Sequence, residues 1–523
     1  MLMATRLRYA VMFIVNLAHA DTIKHKTSTI IQNQSLSKGY LEQIIVKLKK
    51  TGLIRATKGP GGKYSLNIAP NLITINLILE AIGEKIKITR CEGDASSKSC
   101  LANHSQQCNT HNLWSNIEYC IRNYLSNISI KDILSNNFKF NANNHNYIYA
   151  DYNATSSINP IIKQQLSNML LFDNIYNPSS MHHLGQKTRK IIEDTREIIS
   201  KKLNAQKHHV VFTSSGTEAN NLVFSSTRNY RHIISATEHL SVMNSAISPI
   251  IIPVNQDGIV SLSELVNILQ KFKNEKILVS VMLANNETGV IQPVKEIVKI
   301  SHEFGAIVHT DAIQACGKIQ IDVSELGVDL LTISSHKIGG LSGAGVLLYN
   351  NSVSIYPTIL GGSQERGLRA GTENVASIYS LLLSLNNIDD YVQKMNYIKN
   401  LRNKLECDIM KLVPSCKIFG KNVDRLPNTT CIAMPGVSSE VQLMKFDQNN
   451  IAVGIGSACS SGKVDTSHVL SAMNVNEQLS KNAIRISLGF EIEDKHIKKI
   501  VDCWYKIYLH SQMLNKSSLA TVV

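Results

Sequence analysis

The chain has 523 residues, 43% of them hydrophobic and 18% charged, with a formal net charge of +14. So long a chain exceeds one ordinary core, and its apolar content excludes a disordered polymer, so roughly two to four globular domains are expected. No run of about eighteen apolar residues occurs, so no membrane span and no membrane partner is expected.

Ten cysteines in this length do not make a disulfide scaffold. Three cluster at Cys91, Cys100 and Cys108 and the rest are scattered, which fits a reducing, cytoplasmic compartment. The charge is uneven: residues 1–67 hold eleven Lys/Arg against Asp21 and Glu42 alone. A basic block on a small domain suits nucleic acid. Charge alone favours a plain solvated face.

In chain order, residues 4–20 have the period of an amphipathic helix. Arg6 and Arg8 before the apolar run Tyr9–Ala18, with Ala18-His19-Ala20 behind it, also imitate a secretory signal; the helical reading is preferred because the later chemistry needs reduced thiols. Ser37 to Leu48 forms a second helix, with Tyr40, Leu41, Ile44, Ile45 and Leu48 at helical spacing and Gly52 as its stop. Two short strands flank Lys58-Gly59-Pro60-Gly61-Gly62, a hairpin with a glycine-rich tip. Helix, turn, helix and basic hairpin predict a winged helix over residues 1–134, with Tyr40, Glu42 and Lys58 as candidate DNA contacts.

The asparagine-rich stretch 135–146 reads as a linker. Beyond it, β-rich runs at Val210–Thr213, His232–Ala236, Ile277–Leu283, Ala306–His309 and Leu330–Ser334 alternate with helices. That pattern predicts a mainly parallel α/β sheet in a large domain of about 160–394. A smaller α+β domain is expected over about 395–510, joined by 147–159.

Catalysis by pyridoxal phosphate asks a protein for an amine, an acid at the pyridine nitrogen, a flat group on the ring and donors for the phosphate. Each has a candidate at a predicted strand end, where open α/β sheets place ligands. Lys337 follows an apolar strand and offers a partly desolvated amine. Asp311 ends the preceding strand and would hold the ring nitrogen, with Gln314 reaching the ring hydroxyl. Thr213 to Glu218 opens a helix whose amides, with the Thr217 hydroxyl, make an anion site. Singly each is commonplace; their order and spacing are what is specific.

The segment from about Tyr147 onward resembles the cysteine desulfurases of the iron–sulfur assembly and nitrogen-fixation type, within the aspartate-aminotransferase-like fold-type I. The resemblance lies in TSSGTEANNL (213–222), ATEHLSV (236–242), ANNETGVIQP (284–293), HTDAIQACGK (309–318), SSHKIGG (334–340), GGSQERGLRAGTENV (361–375), GSACSSG (456–462) and IRISLG (484–489). It implies that Lys337 bonds the coenzyme aldehyde and that His239 stacks on the ring as an acid–base. It implies further that Asn286 and Gln314 meet the ring hydroxyl or substrate, and that Asp311 pairs with the ring nitrogen. Gly216, Thr217, Ser334 and His336 would hold the phosphate, joined by Thr372 of a second subunit, hence an expected homodimer. Arg485 would grip the substrate carboxylate as a bidentate fork. Cys459 would carry sulfur from L-cysteine as a persulfide on a small, glycine-bounded segment able to reach the ring and leave. An iron–sulfur scaffold protein is the expected acceptor. This chain departs from the family's usual Ala-Thr-Thr-Pro at Ala154-Thr155-Ser156-Ser157, and it diverges after Arg485.

The first 134 residues resemble the Rrf2-type iron–sulfur regulators, in RYAVMFIVNLA (8–18), GYLEQIIVKLKKTGLI (39–54), KGPGGKYSL (58–66) and the segment Cys91, Cys100, Cys108, His111. Three thiolates and an imidazole suit a [2Fe–2S] centre, and zinc equally accepts that set. Lys38-Gly39 departs from the family's recognition helix. Two other readings stay open: a transcription factor whose coenzyme domain only senses a ligand, and a selenocysteine lyase on the same scaffold.

Overall fold

The computed structural model describes residues 5–19, 38–57, 63–84, 117–118, 121–122, 124–135, 147–173, 175–456 and 466–520. Ser37, Lys58, Cys91, Cys100, Cys108, His111 and Cys459 lie outside the described residues, as does the stretch 136–146. The chain divides into two compact units, Met1–Asn146 and Tyr147–Val523.

In the first unit, helices α1 (Thr5–His19) and α2 (Lys38–Lys50) precede the strands β1 (Ile54–Thr57) and β2 (Lys63–Leu66). The strands pair antiparallel, with Ile54 opposite Leu66 and Thr57 opposite Lys63. Gly52, at φ 76°, ends α2: its N–H reaches the Lys49 carbonyl at 3.1 Å and that of Leu53 reaches Leu48 at 3.1 Å. This is the left-handed closure that glycine supplies without strain. Helices α3 (Ile75–Ala81) and α4 (Ile130–Leu134) complete the unit, the latter opened by a reciprocal Ser129–Asp132 capping box. Leu7, Ala10, Phe13, Ile14 and Leu17 put the apolar stripe of α1 into one core with Leu41, Ile44, Ile45 and Leu48 of α2. The run that imitates a signal peptide thus packs as a core helix.

The second unit opens with β3 (Ile148–Tyr149), α5 (Pro160–Asn168) and α6 (His183–Lys202). Then come β4 (His209–Thr213), α7 (Gly216–Ser226), β5 (Arg231–Ser235), α8 (Leu240–Met243), β6 (Ile250–Ile252), α9 (Leu262–Lys271), β7 (Ile277–Ser280) and α10 (Val294–Glu303). The sheet is completed by β8 (Ile307–Asp311), β9 (Leu330–Ser334) and β10 (Gly345–Tyr349), with α11 (Val323–Leu326) between β8 and β9. Seven strands run in the order β4-β10-β9-β8-β7-β5-β6. All neighbours are parallel except β10, which is antiparallel to both β4 and β9. Alternate residues enter two cores: Val210, Phe212, Ile233 and Val279 on one face, Val211, Ile234 and Leu278 on the other. A sheet covered on both faces explains why its strands read as apolar runs rather than alternating ones.

Helices α12 (Val375–Asn386) and α13 (Ile388–Leu412) lead into a second core. The expected boundary near residue 394 falls inside α13, whose first residue Ile388 packs in the sheet's core while Met395 and Ile398 pack in the smaller one. There β11 (Lys417–Ile418), β12 (Thr429–Ala433), α14 (Ser439–Gln448), β13 (Ile451–Ala452), β14 (Ala483–Ser487) and α17 (Asp494–Ala520) assemble, while α15 (His468–Ala472) and α16 (Glu477–Lys481), between β13 and β14, pack through Val469, Leu470 and Leu479 against the sheet's core. Strand β3 joins this part by pairing parallel with β13.

His309 lies at the centre of the sheet, fully buried, with Nδ1 2.9 Å from Ser280 Oγ and Nε2 3.0 Å from Thr332 Oγ1. Burial pushes its pKa down to about 3. The folded imidazole is therefore neutral while the unfolded one titrates at about 6.5. This contribution to stability is complete above the unfolded value and is lost as pH falls toward 3. We expect the urea midpoint of the protein to drop as pH is lowered from 6.5 to 4, and His309→Asn to flatten that slope by about 1 kcal/mol per pH unit. A variant profile as steep as wild type would contradict this origin.

Candidate active site

The carboxyl ends of β4, β5, β7, β8 and β9 and the segments that follow them supply most of the expected residues. At β4 the chain turns through Ser214 into α7, capped by Ser215, whose hydroxyl accepts the Glu218 N–H at 3.2 Å. The N–H groups of Gly216 and Thr217 are first-turn donors that a helix leaves unused, so they face an anion with the helix dipole behind them. Thr217 is exposed at the rim and Gly216 is buried. Ser334, at the end of β9, is buried 3.6 Å from where a Cβ on Gly216 would stand. The His336 imidazole lies 3.2 Å from Thr155 Oγ1. Burial, helped by the Lys337 cation, holds it down to about 4, so at neutral pH it is an uncharged partner.

Gly345 explains how these groups come so close. In register it lies opposite both Thr213 and Ser334. A Cβ there would collide with the carbonyl of Ser215, the residue that caps α7. The missing side chain lets the turn from Ser214 to Thr217 fold down over β10.

At the other end, Asp311 is buried, with Oδ2 accepting from Asn220 Nδ2 and Oδ1 from the Ile313 N–H, both at 2.9 Å. Burial raises its pKa, opposed by those donors and by the neighbouring His239 and Lys337. Asn220 also donates to Ser241 Oγ (2.9 Å), which lies 2.7 Å from His239 Nδ1. The Ser241 backbone N–H reaches the same Nδ1 at 3.1 Å. A backbone N–H can only donate, so Nδ1 accepts and neutral His239 carries its proton on Nε2. Burial lowers the pKa of His239 and favours that neutral form. Asn220 and Ser241 were not singled out from the sequence, although both sit inside motifs that were.

The Lys337 amine is held by the leading segment of the unit, at and just before Ala154–Ser157, where this chain departs from the family's usual sequence. Lys337 Nζ donates to the carbonyls of Asn153 (2.6 Å) and Ala154 (2.8 Å). Gln314 Nε2 donates to the same Asn153 carbonyl at 2.9 Å. The Asn153 amide donates to the Asn286 carbonyl (3.1 Å) and to Thr429 Oγ1 (2.9 Å). Its N–H donates to Ser487 Oγ at 3.0 Å. Ser156, where the family usually has threonine, accepts the Gly339 N–H (2.7 Å) and donates to the His336 carbonyl (2.9 Å). The departure therefore still clasps the loop that carries Lys337.

Arg485 differs from the expected open fork. One arm, Nη2, is paired with Asp151 Oδ1 at 2.6 Å and the other, Nη1, donates to the Asn286 carbonyl at 3.1 Å. Its buried Nε has no acceptor among the described residues. A guanidinium this buried cannot stay uncompensated, which is why Asp151 closes on it. Asn286 enters these contacts through its carbonyl rather than its side chain. Thr372 is exposed, and its segment is tied to α7 by the Arg369–Glu218 ion pair at 2.9 Å.

In the first unit Glu42 is exposed on α2. Tyr40, expected to face DNA, is half-buried: its ring packs edge-on against Tyr9 of α1 at 5.7 Å, with the Arg6 guanidinium 5.7 Å from its centre.

The buried carboxylate, the amine, the neutral imidazole and the helix-end donors fit a phosphorylated pyridine aldehyde. Gly345→Val should raise the dissociation constant for pyridoxal phosphate by about tenfold, in line with the roughly 1–3 kcal/mol that overpacking costs. Equilibrium titration of the apoprotein checks it, and unchanged affinity would refute the role given to Gly345.

Residues 148–500 match the aminotransferase class-V family, and residues 3–136 match the Rrf2 family of iron-dependent transcriptional regulators. The chain is 37% identical over 381 residues to the cysteine desulfurase IscS of Clostridium botulinum, covering 69% of this chain and 94% of that one. A cysteine desulfurase of Nostoc is 36% identical over 371 residues, covering 68% of this chain and 91% of the relative. The crystal structure of a NifS-like protein from Rickettsia africae superimposes with a TM-score of 0.64 at 38% identity, covering 69% of this chain and 99% of that one. With the strand order and the clustered site residues, these likenesses place the chain: it belongs to the cysteine desulfurase family of class-V aminotransferases, fused behind an Rrf2-type domain.

Proposed function

We propose that the second unit converts L-cysteine to L-alanine and passes the sulfur, as a persulfide on Cys459, to an iron–sulfur scaffold protein. The observation that carries the reading is the gathering of Lys337, Asp311, His239, Gly216 and Arg485 around the strand ends. Bound pyridoxal phosphate would supply the electron sink for bond breaking at the substrate. Gly216, Thr217, Ser334 and His336 would hold its phosphate, Asp311 its ring nitrogen and Lys337 its aldehyde carbon. Arg485 would exchange Asp151 for the substrate carboxylate. His239, neutral with its proton on Nε2, would move a proton beside the substrate. The Cys459 thiolate attacks the substrate sulfur: a sulfur–sulfur bond forms, the carbon–sulfur bond breaks, and the electron pair stays with the carbon that becomes the alanine methyl group. Thr372, exposed on its own protomer, supports a homodimer in which it completes the partner's phosphate site.

The first unit is proposed to bind DNA and to hold a [2Fe–2S] cluster through Cys91, Cys100, Cys108 and His111, so that the sulfur supply and gene control meet in one cytoplasmic chain. The exposed Lys49 and Lys50 at the end of α2 support the DNA contact.

Sulfide and alanine production from L-cysteine tests the enzymatic half. Cys459→Ala is expected to lower sulfide release at least a hundredfold while the coenzyme absorption stays intact, an order of magnitude expected when a nucleophile is removed. Full activity in that variant would overturn the persulfide step. A DNA footprint that is the same for apo and cluster-loaded protein would dispose of the sensing role.

A further inference from the structure

Lys318 is a second lysine beside the reactive one, and the proposed chemistry leaves it unused. It lies seven residues beyond Asp311, is only 3% exposed, and its Nζ touches two neutral oxygens, Gln314 Oε1 at 2.6 Å and Asn153 Oδ1 at 2.8 Å. The ionisable groups acting on it are Lys337 and Arg485, both cationic; with burial, the largest influence, they push its pKa well below the usual lysine range. A buried amine without a carboxylate partner is costly, so such a lysine is kept for what it holds.

What it holds is the amide of Gln314. Lysine donates and the Asn153 carbonyl can only accept, so the two contacts together fix which end of the amide is oxygen and which nitrogen. Oε1 is turned to Lys318, and Nε2 is turned to the carbonyl that also receives Lys337 Nζ at 2.6 Å. The second hydrogen of Nε2 remains for a ligand. Without Lys318 the Oε1 end loses its donor and only the Asn153 carbonyl holds the amide, so its orientation is no longer fixed from both ends. Further ionisable groups around this site are Asp311 and His239, which act on each other, His468, which acts on His239, Asp151, which is paired with Arg485, and the buried Glu287, on which Arg485 acts.

We propose that Lys318 is a positioning residue that locks the Gln314 amide as a donor to the coenzyme's ring hydroxyl and, through Asn153, fixes the place of Lys337. The inference rests on the coenzyme reading given above. A donor at the ring oxygen favours its more negative form, so losing that donor raises the pH at which the bound coenzyme's visible band changes.

The test is a spectrophotometric pH titration of the holoprotein with Lys318→Met, Gln314→Met and the double variant. The midpoint should rise by about one unit in Lys318→Met, a tenfold change in the proton equilibrium. Gln314→Met should give a similar rise by itself, and the double variant should add nothing to it, because both act through one amide. Gln314→Met keeps the question answerable if Lys318→Met does not fold: an unmoved midpoint there overturns the proposal. So do additive shifts, or a Lys318→Met protein that loses thermal stability with its titration unchanged. Wild-type protein that takes up no coenzyme would instead overturn the underlying reading.

Discussion

The backbone carbonyl of Asn153 accepts from Lys337 and from Gln314, while the same residue's side chain reaches Thr429 and the Asn286 carbonyl and its N–H reaches Ser487. One residue of the leading segment thus ties the strand ends of the large sheet to β12 and β14 of the smaller part. The Lys337 amine has its position because it and the Gln314 amide both reach this carbonyl, which comes from a stretch of chain more than 160 residues before them.

The same region concentrates buried charge. Asp311, Lys318 and Arg485 are each about 95% or more withdrawn from solvent. Asp311 is supported by amide and backbone donors, Arg485 by Asp151, and Lys318 by two neutral oxygens. A protein gains no stability from such an arrangement compared with apolar side chains of the same volume. It gains a preset field, with an acid at one end, helix-end donors at the other and cations between. That is what a charged, planar ligand with a phosphate needs, and a glycine at 345 makes room for the turn proposed to hold its phosphate end.

Much of this was legible in the sequence, and the exceptions have a common cause. The β-branched runs at Val210–Thr213 and Leu330–Ser334 announced their strands because both faces of the sheet are buried. Asp311, Lys337 and Gly216 were recognisable from their places at strand and helix ends. Strand β10 was not, for its antiparallel direction is a property of topology that no local pattern encodes. Asn153 was invisible as a hub because its partners lie between 133 and 334 residues away. Lys318 closes the motif 309–318 with no role that the sequence could assign; only the packing around it, with Asn153 Oδ1 2.8 Å from its Nζ, shows that it is buried. Tyr40 shows the same limit, since helical spacing placed it on α2 but could not tell that Tyr9 would pack edge-on against it. The occupied fork of Arg485 likewise depends on Asp151, which enters from the other end of the unit.

The account stands or falls on which amine carries the coenzyme, since two lysines converge on Asn153 and only Lys337 is assigned that bond. Reducing the pyridoxal phosphate–loaded protein with borohydride and mapping the pyridoxyl group by peptide mass spectrometry asks this directly. The account predicts the label on the peptide containing Lys337 and its loss in Lys337→Ala. A label on Lys318, or no label in a protein saturated with the coenzyme, would contradict it.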